Sequence, residues 1–325
     1  MNRDKLIKQI GTFISENDDF LITSHFAPDG DNIGSCIAFH LMLTDLGKKS
    51  LIVNEDKIID KYDFLFRDKS ESYIQYSDIT EKTEFENVIV LDTATFDRIG
   101  KVSELFSKDV TVVNIDHHFT NTNFGTINLV DGYVSSASQL VLEIFKGCNY
   151  NITKDISDAI LTGILSDTGG LKFQNTNIEV ISDVKELMSL GSVLPDITER
   201  LFSSISYEES MKVNKIASEI KLYGEERIAV AYNDQQNNPL IENEPVLMIL
   251  NSIEEAEVTL FVRRADENKL KISLRSKSEF NVSDFAAKWG GGGHKNAAGM
   301  RYKGTFEDFN ADVLDKLRKV VMDKL

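Results

Sequence analysis

Three short apolar runs each end on residues suited to chemistry. DFLITS (19–24) leads into His25, ENVIVLD (86–92) ends on Asp92, and VTVVNID (110–116) ends on Asp116, followed by His117 and His118. The runs are nearly continuous rather than alternating and rich in β-branched residues, the pattern of parallel strands covered on both faces. LIVNE (51–55) reads as a further strand. Helices are expected after Asp31, in NIGSCIAFHLMLTDLG ended by Gly47, and at about 136–147, 155–165 and 177–191. Alternating strands and helices give an open α/β sheet, which binds ligands at the carboxyl ends of its strands.

Beyond Gly191, the stretch SVLPDITERLFSSISYEESMKVNKIASEIKLYG carries Pro195 and a mixed polar pattern, and reads as a partly helical connector. RIAVAYN, AEVTLFVRR and KLKISLRSK then read as strands of a second sheet. VSDFAAKW (282–289) reads as a short helix with Asn281 or Ser283 near its cap, and the final DFNADVLDKLRKVVMDKL as an amphipathic helix closing the second core. A chain of 325 residues accommodates two domains comfortably.

Composition narrows the function. With 52 acids against 36 bases the formal charge is -16, which argues against a protein that wraps long duplex nucleic acid by neutralising phosphates. It leaves room for small phosphates in a local pocket. Two cysteines, Cys36 and Cys148, exclude a disulfide framework or a Cys-rich zinc site. Cys36 lies in a helical apolar stretch and reads as buried filler. The amphipathic, charged start MNRDKLIKQIGTFISENDDF does not read as a signal peptide, and no stretch has transmembrane length without charges. A soluble cytoplasmic protein with no membrane partner is expected.

Histidine is scarce, so its placement is informative. Of the five, His40 lies in the apolar helix and reads as structural. His25-Phe-Ala-Pro-Asp29-Gly-Asp31 puts an imidazole and two carboxylates on a short turn before a helix, although aspartates also cap helices and PDG is an ordinary turn signal. Asp92, the Asp116-His117-His118 triplet and Asp167 in SDTGG occupy further strand ends or turns. Adjacent histidines at a strand end point in different directions and should have different roles. If His25, Asp29, Asp31, Asp92, His117 and Asp167 share one site, its four carboxylates balance two divalent cations; without cations they would repel and raise one another's pKa. Oxygen and imidazole donors without thiolates suit manganese, magnesium or a similar hard divalent ion, and two histidines favour manganese.

These motifs closely resemble the DHH phosphoesterase superfamily. HFAPDGDNIGS (25–35), Asp92 in VLDTA, IDHH (115–118) and SDTGG (166–170) resemble its four motifs in order, and GGGGHKNAAG (290–299) resembles the glycine-rich signature of the DHH-associated C-terminal domain. The resemblance implies a parallel-sheet DHH catalytic domain over 1–186, a partly helical linker over 187–216 and a smaller α/β substrate-binding domain with a mixed sheet over 217–325. It also implies a dinuclear centre, most readily Mn2+, with Mg2+ or another divalent ion as the alternative. One ion takes His25, Asp29 and Asp92; the other takes Asp31, Asp92, His117 and Asp167, with Asp92 bridging. Asp116 supports the histidine pair, and His118 contacts the scissile phosphate and helps protonate the leaving oxygen.

Arg98 is expected to help hold the phosphate, or else to lie on the surface. Arg275 and Ser276, with Gly291, Gly292, Gly293 and His294, are expected to hold a terminal phosphate or nucleotide, the glycines forming a strand-to-helix turn that offers N–H donors. Such a second grip favours short ligands. The compact organisation resembles NrnA-type nanoRNases, which degrade very short oligoribonucleotides and dephosphorylate 3'-phosphoadenosine 5'-phosphate (pAp). Stand-alone phosphodiesterases acting on cyclic-di-AMP or on pApA are the alternative. A catalytically silent nucleotide sensor is disfavoured by the intact ligand set. The oligomeric state, a homodimer included, stays open.

Overall fold

Alternate residues of the central strands enter two different cores. Phe20 and Ile22, Ile89 and Leu91, and Val113 and Ile115 pack in one, while Leu21, Val88, Val90 and Val112 pack in the other. This accounts for runs that read as continuously apolar: the period of two is present, but both faces are buried. The computed structural model describes residues 3–58, 60–66, 73–80, 83–202, 205–234 and 243–324, in two compact units, Met1–Ser203 and Ser204–Leu325.

The first unit holds β1 (Phe20–Thr23), β2 (Ser50–Asn54), β3 (Tyr73–Gln75), β4 (Phe85–Leu91), β5 (Phe106–Asp116) and β6 (Ile127–Val130) in the order β3-β2-β1-β4-β5-β6. Every pairing is parallel. The chain moves outward from β1 to β3, then returns to the other side of β1 and moves outward to β6. The strand order therefore reverses between β1 and β4, the position at which open sheets leave a crevice. His25 follows β1 and Asp92 follows β4.

The larger core receives α1 (Arg3–Glu16), α2 (Gly30–Asp45), α3 (Ala137–Gly147), α4 (Lys154–Asp167), α5 (Ile178–Ser189) and α6 (Leu194–Phe202). Ile99, Val102 and Leu105, from the 3-10 segment Phe96–Leu105, close the opposite face. Of the stretch expected to connect the domains, Leu187, Ile197 and Leu201 are buried in this unit, whereas Val213 and Ile216 belong to a core of the second.

Glycines let α2 and α4 approach backbone to backbone. A methyl group at Gly34 would overlap the Ala159 carbonyl oxygen and lie 2.9 Å from the Gly163 nitrogen; one at Gly163 would lie 2.6 Å from Asp31 Oδ1. The first turn of α2 and the last turn of α4, which carry Asp31 and Asp167, are thereby held together.

In the second unit, β7 (Lys221–Tyr223), β8 (Ile228–Asn233), β9 (Val258–Asp266), β10 (Lys269–Ser276), β11 (Gly292–His294) and β12 (Ala297–Lys303) form a sheet of order β11-β12-β10-β9-β8-β7. The β8–β9 pairing is parallel and the others antiparallel, so the sheet is mixed. One face packs on α9 (Val282–Ala287) and the terminal segment from Phe306 to Lys324; the other packs on α7 (Tyr207–Ser218) and α8 (Asn243–Ser252). Asn281 caps α9, its Oδ1 accepting from the Ser283 and Asp284 nitrogens. The terminal helix is interrupted by a π-type turn at Asn310–Leu314.

The sequence places the glycine run in a strand-to-helix turn, and the structure corrects this. The run follows α9 and enters the edge strand β11, so the order is helix to strand. Gly293, at φ 143, also lies where a Cβ would strike the Ala297 carbonyl oxygen. Gly291 and Gly293 thus admit close approach of β12, while Gly290 and Gly292 have open space.

Gly34→Ala should overpack the α2–α4 contact and destabilise the protein by roughly 1–3 kcal/mol, seen as a lower thermal midpoint. An unchanged midpoint would contradict the backbone approach described above.

Candidate metal centre

The crevice between β1 and β4 is lined by acids and imidazoles. Asp92 lies at its centre, 2% exposed, with a left-handed backbone (φ 50) that costs energy in a non-glycine residue. Its amide donates to the Ile115 carbonyl oxygen at 2.9 Å, which holds that conformation. Asp92 Oδ2 is 3.4 Å from His25 Nε2, and Oδ1 is 3.3 Å from His117 Nε2. Asp92 Oδ1 is buried without a hydrogen-bond donor.

Asp29 caps α2, its Oδ1 accepting from the Asp31 and Asn32 nitrogens at 3.1 Å, while Oδ2 is 3.9 Å from His25 Nε2. The capping role and the site role thus fall on different oxygens. His25 Nδ1 donates to the Phe26 carbonyl oxygen at 2.7 Å, leaving Nε2 as the ring's electron-pair donor. His117 Nε2 lies 3.1 Å from Asp167 Oδ2 and 3.8 Å from Asp31 Oδ2. Asp31 is fully buried in the first turn of α2, its carboxylate accepting from the backbone nitrogens of Ala137 (2.6 Å) and Ser138 (2.9 Å) in the first turn of α3. Asp167 ends α4 rather than occupying a turn.

The neighbouring histidine borders the same cluster, its Nδ1 3.6 Å from Asp92 Oδ1, but its hydrogen bond goes elsewhere. His118 Nδ1 donates to Asp116 Oδ1 at 2.7 Å, and Asp116 Oδ2 accepts from Asn121 Nδ2 at 2.6 Å. Asp116 therefore orients His118 directly. The Arg98 guanidinium lies 5.5 Å from the centroid of the Phe26 ring, and its charge opposes protonation of His25. His40, as expected, is structural, with Nδ1 2.8 Å from Ser50 Oγ. Burial pushes the Cys36 thiol up to about 12, so it is no nucleophile.

Asparagines that the sequence reading passes over hold the crevice in shape. Asn32 Oδ1 accepts from Ser24 Oγ at 2.5 Å, Ser24 Oγ accepts from Asn54 Nδ2 at 2.6 Å, and Asn32 Nδ2 donates to the His25 carbonyl oxygen at 3.2 Å. Asn121 Nδ2 also reaches Asn114 Oδ1 and the Thr93 carbonyl oxygen. An available signal was the single polar residue inside or ending an apolar run, Asn114 in VTVVNID and Asn54 in LIVN.

The electrostatics of the cluster is compatible with a divalent metal site. Burial, together with Asp92 and Asp167, holds the Asp31 carboxyl well above the usual range; burial lifts Asp167 to about 6. For Asp92, burial acts upward, but His117 and His25 outweigh it and hold the group well below the ordinary value. Burial opposes charge on His25 and His117, yet Asp92 raises the first, and Asp167 with Asp92 raises the second well above its ordinary value. These directions favour protons on Asp31, Asp167 and the two imidazoles and a charge on Asp92. Donor atoms of His25, Asp29 and Asp92 lie within 4.8 Å of one another, as do those of Asp31, Asp92 and His117. The two sets share Asp92, and the oxygen and imidazole donors fit divalent cations.

In the second unit, Ala297 pairs with Arg275 on one side and His294 on the other, so all three share one face of the sheet. Arg275 Nη1 donates to the Leu274 carbonyl oxygen at 3.1 Å. Ser276 Oγ is tied into a turn, accepting from the Ser278 nitrogen at 3.2 Å. Gly292 and Gly293 pair with Gly299 and Ala298, and the Gly291 nitrogen donates to the Ala286 carbonyl oxygen.

Groups with a raised folded pKa stabilise the fold at low pH and lose that contribution as pH rises through the folded value. Asp31, Asp167, His25 and His117 all have this sign, whereas the Asp92 contribution is lost only in acid. The thermal midpoint of the metal-free protein should therefore fall between about pH 5 and pH 8, and saturating divalent cation should flatten or reverse the fall. A metal-free midpoint that rises across this range would contradict these assignments.

The chain is similar to known proteins in both sequence and fold. Residues 19–164 match the family model described as "DHH family, N-terminal domain", and residues 225–324 match the "DHHA1 domain". A Thermus thermophilus protein named "Bifunctional oligoribonuclease and PAP phosphatase NrnA" is 33% identical over 287 residues, covering 87% of this chain and 84% of that protein. An Onion yellows phytoplasma protein named "Membrane protein-large ribosomal subunit bL9 fusion protein" is 26% identical over 93% of this chain but only 37% of its own length. The crystal structure of an exopolyphosphatase-related protein from Bacteroides fragilis superposes with a TM-score of 0.86 at 25% identity, covering 98% of this chain and 97% of that one. No helix among the described residues is long and apolar enough to cross a membrane.

Proposed function

The chain belongs to the DHH family and is a phosphoesterase, and from that premise we propose that it hydrolyses short oligoribonucleotides to 5'-mononucleotides and pAp to AMP and phosphate. The observation that carries this reading is the sharing of Asp92 by two donor sets beside an independently oriented histidine. The activity printed in the name of the Thermus thermophilus relative supports the substrate class.

Two divalent cations, Mn2+ in this proposal, would be held by His25, Asp29 and Asp92 and by Asp31, Asp92, His117 and Asp167. Bound there, they would activate water and neutralise charge developing on the phosphoryl oxygens. The residues supply the rest. Asp116 fixes the Nδ1 proton of His118, assigning Nε2 to the scissile phosphate and to proton delivery at the leaving oxygen. Arg98 adds positive charge to the phosphate side, and its partly hydrophobic seat on Phe26 limits its freedom. Water adds to phosphorus and gives up a proton, the ester P–O bond breaks, and the departing oxygen takes a proton from His118 Nε2; the proton released by water restores the histidine. Asp92, His118 and Asp116 form the catalytic group in this scheme.

In the second unit Arg275, Ser276, Gly291, Gly292, Gly293 and His294 are proposed to recognise the remainder of the nucleotide. The common sheet face of Arg275 and His294 supports this. Recognition of a few groups suits a chain of net charge -16, which lacks the overall potential to follow long strands.

The test is a set of initial rates on pAp, pApA, short RNA and cyclic-di-AMP, with Mn2+ and after chelation. Short RNA and pAp should be turned over fastest, only with metal, and Asp92→Ala should abolish turnover. Arg275→Ala should chiefly raise KM for nucleotides. Faster turnover of cyclic-di-AMP than of either would replace the proposed substrates. Undiminished turnover by Asp92→Ala would overturn the site.

A further inference from the structure

Beside the acidic crevice the first unit displays two large aromatic side chains to solvent. Phe119, the residue after His118, is 70% exposed, and Tyr133 is 85% exposed. Their rings meet edge to face with centroids 5.3 Å apart. A single exposed aromatic is ordinary; a fixed pair adjoining a catalytic strand end is a different matter.

Both rings stand on backbone tied to the site. The Asn121 nitrogen donates to the His118 carbonyl oxygen at 3.1 Å, closing the turn that carries Phe119. Asn121 Nδ2 anchors the same turn to Asp116 Oδ2 at 2.6 Å. The Asp131 nitrogen donates to the Asp116 carbonyl oxygen at 3.1 Å, and the Tyr133 nitrogen donates to Asp131 Oδ1 at 2.9 Å. The Phe119 ring lies against Gly132, where any Cβ would overlap it. One side of the ring is thus backed by main chain while most of its surface faces water. Asp131, the acid beside the pair, is ion-paired with Arg3 Nη1 at 2.5 Å, and the same guanidinium also pairs with Glu143.

We propose that Phe119 and Tyr133 form a stacking platform for a nucleobase of the substrate. The inference rests on the phosphoesterase reading and adds to it a base-recognition site within the first unit. A nucleotide whose phosphate is held near His118 carries its base on a short sugar linker, and a π-face beside that histidine is the complementary surface. Stacking on an aromatic ring accepts any base, so the platform favours nucleotides over other phosphoesters without reading sequence. Because the turn is already anchored, little backbone freedom is lost on binding.

The test compares AMP with ribose 5-phosphate, which carries the same phosphate and sugar but no base, by titration calorimetry. The wild-type chain should bind AMP about tenfold more tightly. Phe119→Ala and Tyr133→Ala should each shrink that ratio, the double variant should bring it near unity, and Phe119→Tyr should retain it. Absence of a base preference in the wild type, or its survival in the double variant, overturns the proposal. So does a change of oligomeric state in the double variant, by sedimentation, with the ratio intact, which assigns the rings to self-association. A protein that hydrolyses none of the phosphoesters but shows the ring-dependent ratio keeps the platform and loses the proposed reaction. Normal hydrolysis with a ring-independent ratio does the reverse.

Discussion

Mutual repulsion among buried carboxylates is the constraint on which the first unit depends. Asp31, Asp92 and Asp167 converge on two imidazoles, with Asp29 at the edge. Like charges in a poorly solvated crevice must be protonated, paired or neutralised by metal. Without metal, the pKa directions favour protons on Asp31, Asp167 and the two imidazoles and a charge on Asp92 between His25 and His117. The same oxygen and imidazole donors fit a divalent cation, which would take over that neutralising role. The same arrangement therefore explains why the cluster can fold and why it is suited to phosphoryl chemistry.

The scaffold exists to hold that repulsive group in register. The switch in strand order brings the ends of β1 and β4 together, and β5 adds the Asp116–His118 triplet. Close contact at Gly34 and Gly163 sets α2 against α4, and two backbone amides of α3 grip Asp31. Chains of buried asparagines fix the turns that carry His25 and His118. Division of labour between adjacent histidines follows from their partners: His117 faces the carboxylates of the shared cluster, and His118 is bound to Asp116.

Much of this is legible in the sequence because strand ends and polar termini are local features. Apolar runs ending at His25, Asp92 and Asp116 announce parallel strands, and the charge count of the acids leads to metal. The short strands β3 and β6 were not legible: Tyr73–Gln75 is three half-buried residues, and Ile127–Val130 is too brief to show a period. The helix Asn243–Ser252 was missed because its apolar residues gave no strong signal between two strands. The glycine run was placed before a helix because glycine weakens strand propensity; pairing with β12 overrides that preference. The grip of Ala137 and Ser138 on Asp31 joins residues more than a hundred positions apart, and no local pattern encodes it.

In the proposed centre one carboxylate, Asp92, serves two cations at once. Electron paramagnetic resonance during titration of the metal-free protein with Mn2+ tests it most directly. Two equivalents should bind, with the second producing the multiline signal of an exchange-coupled pair. Binding of a single equivalent, or of two ions whose signals stay magnetically independent, would contradict it.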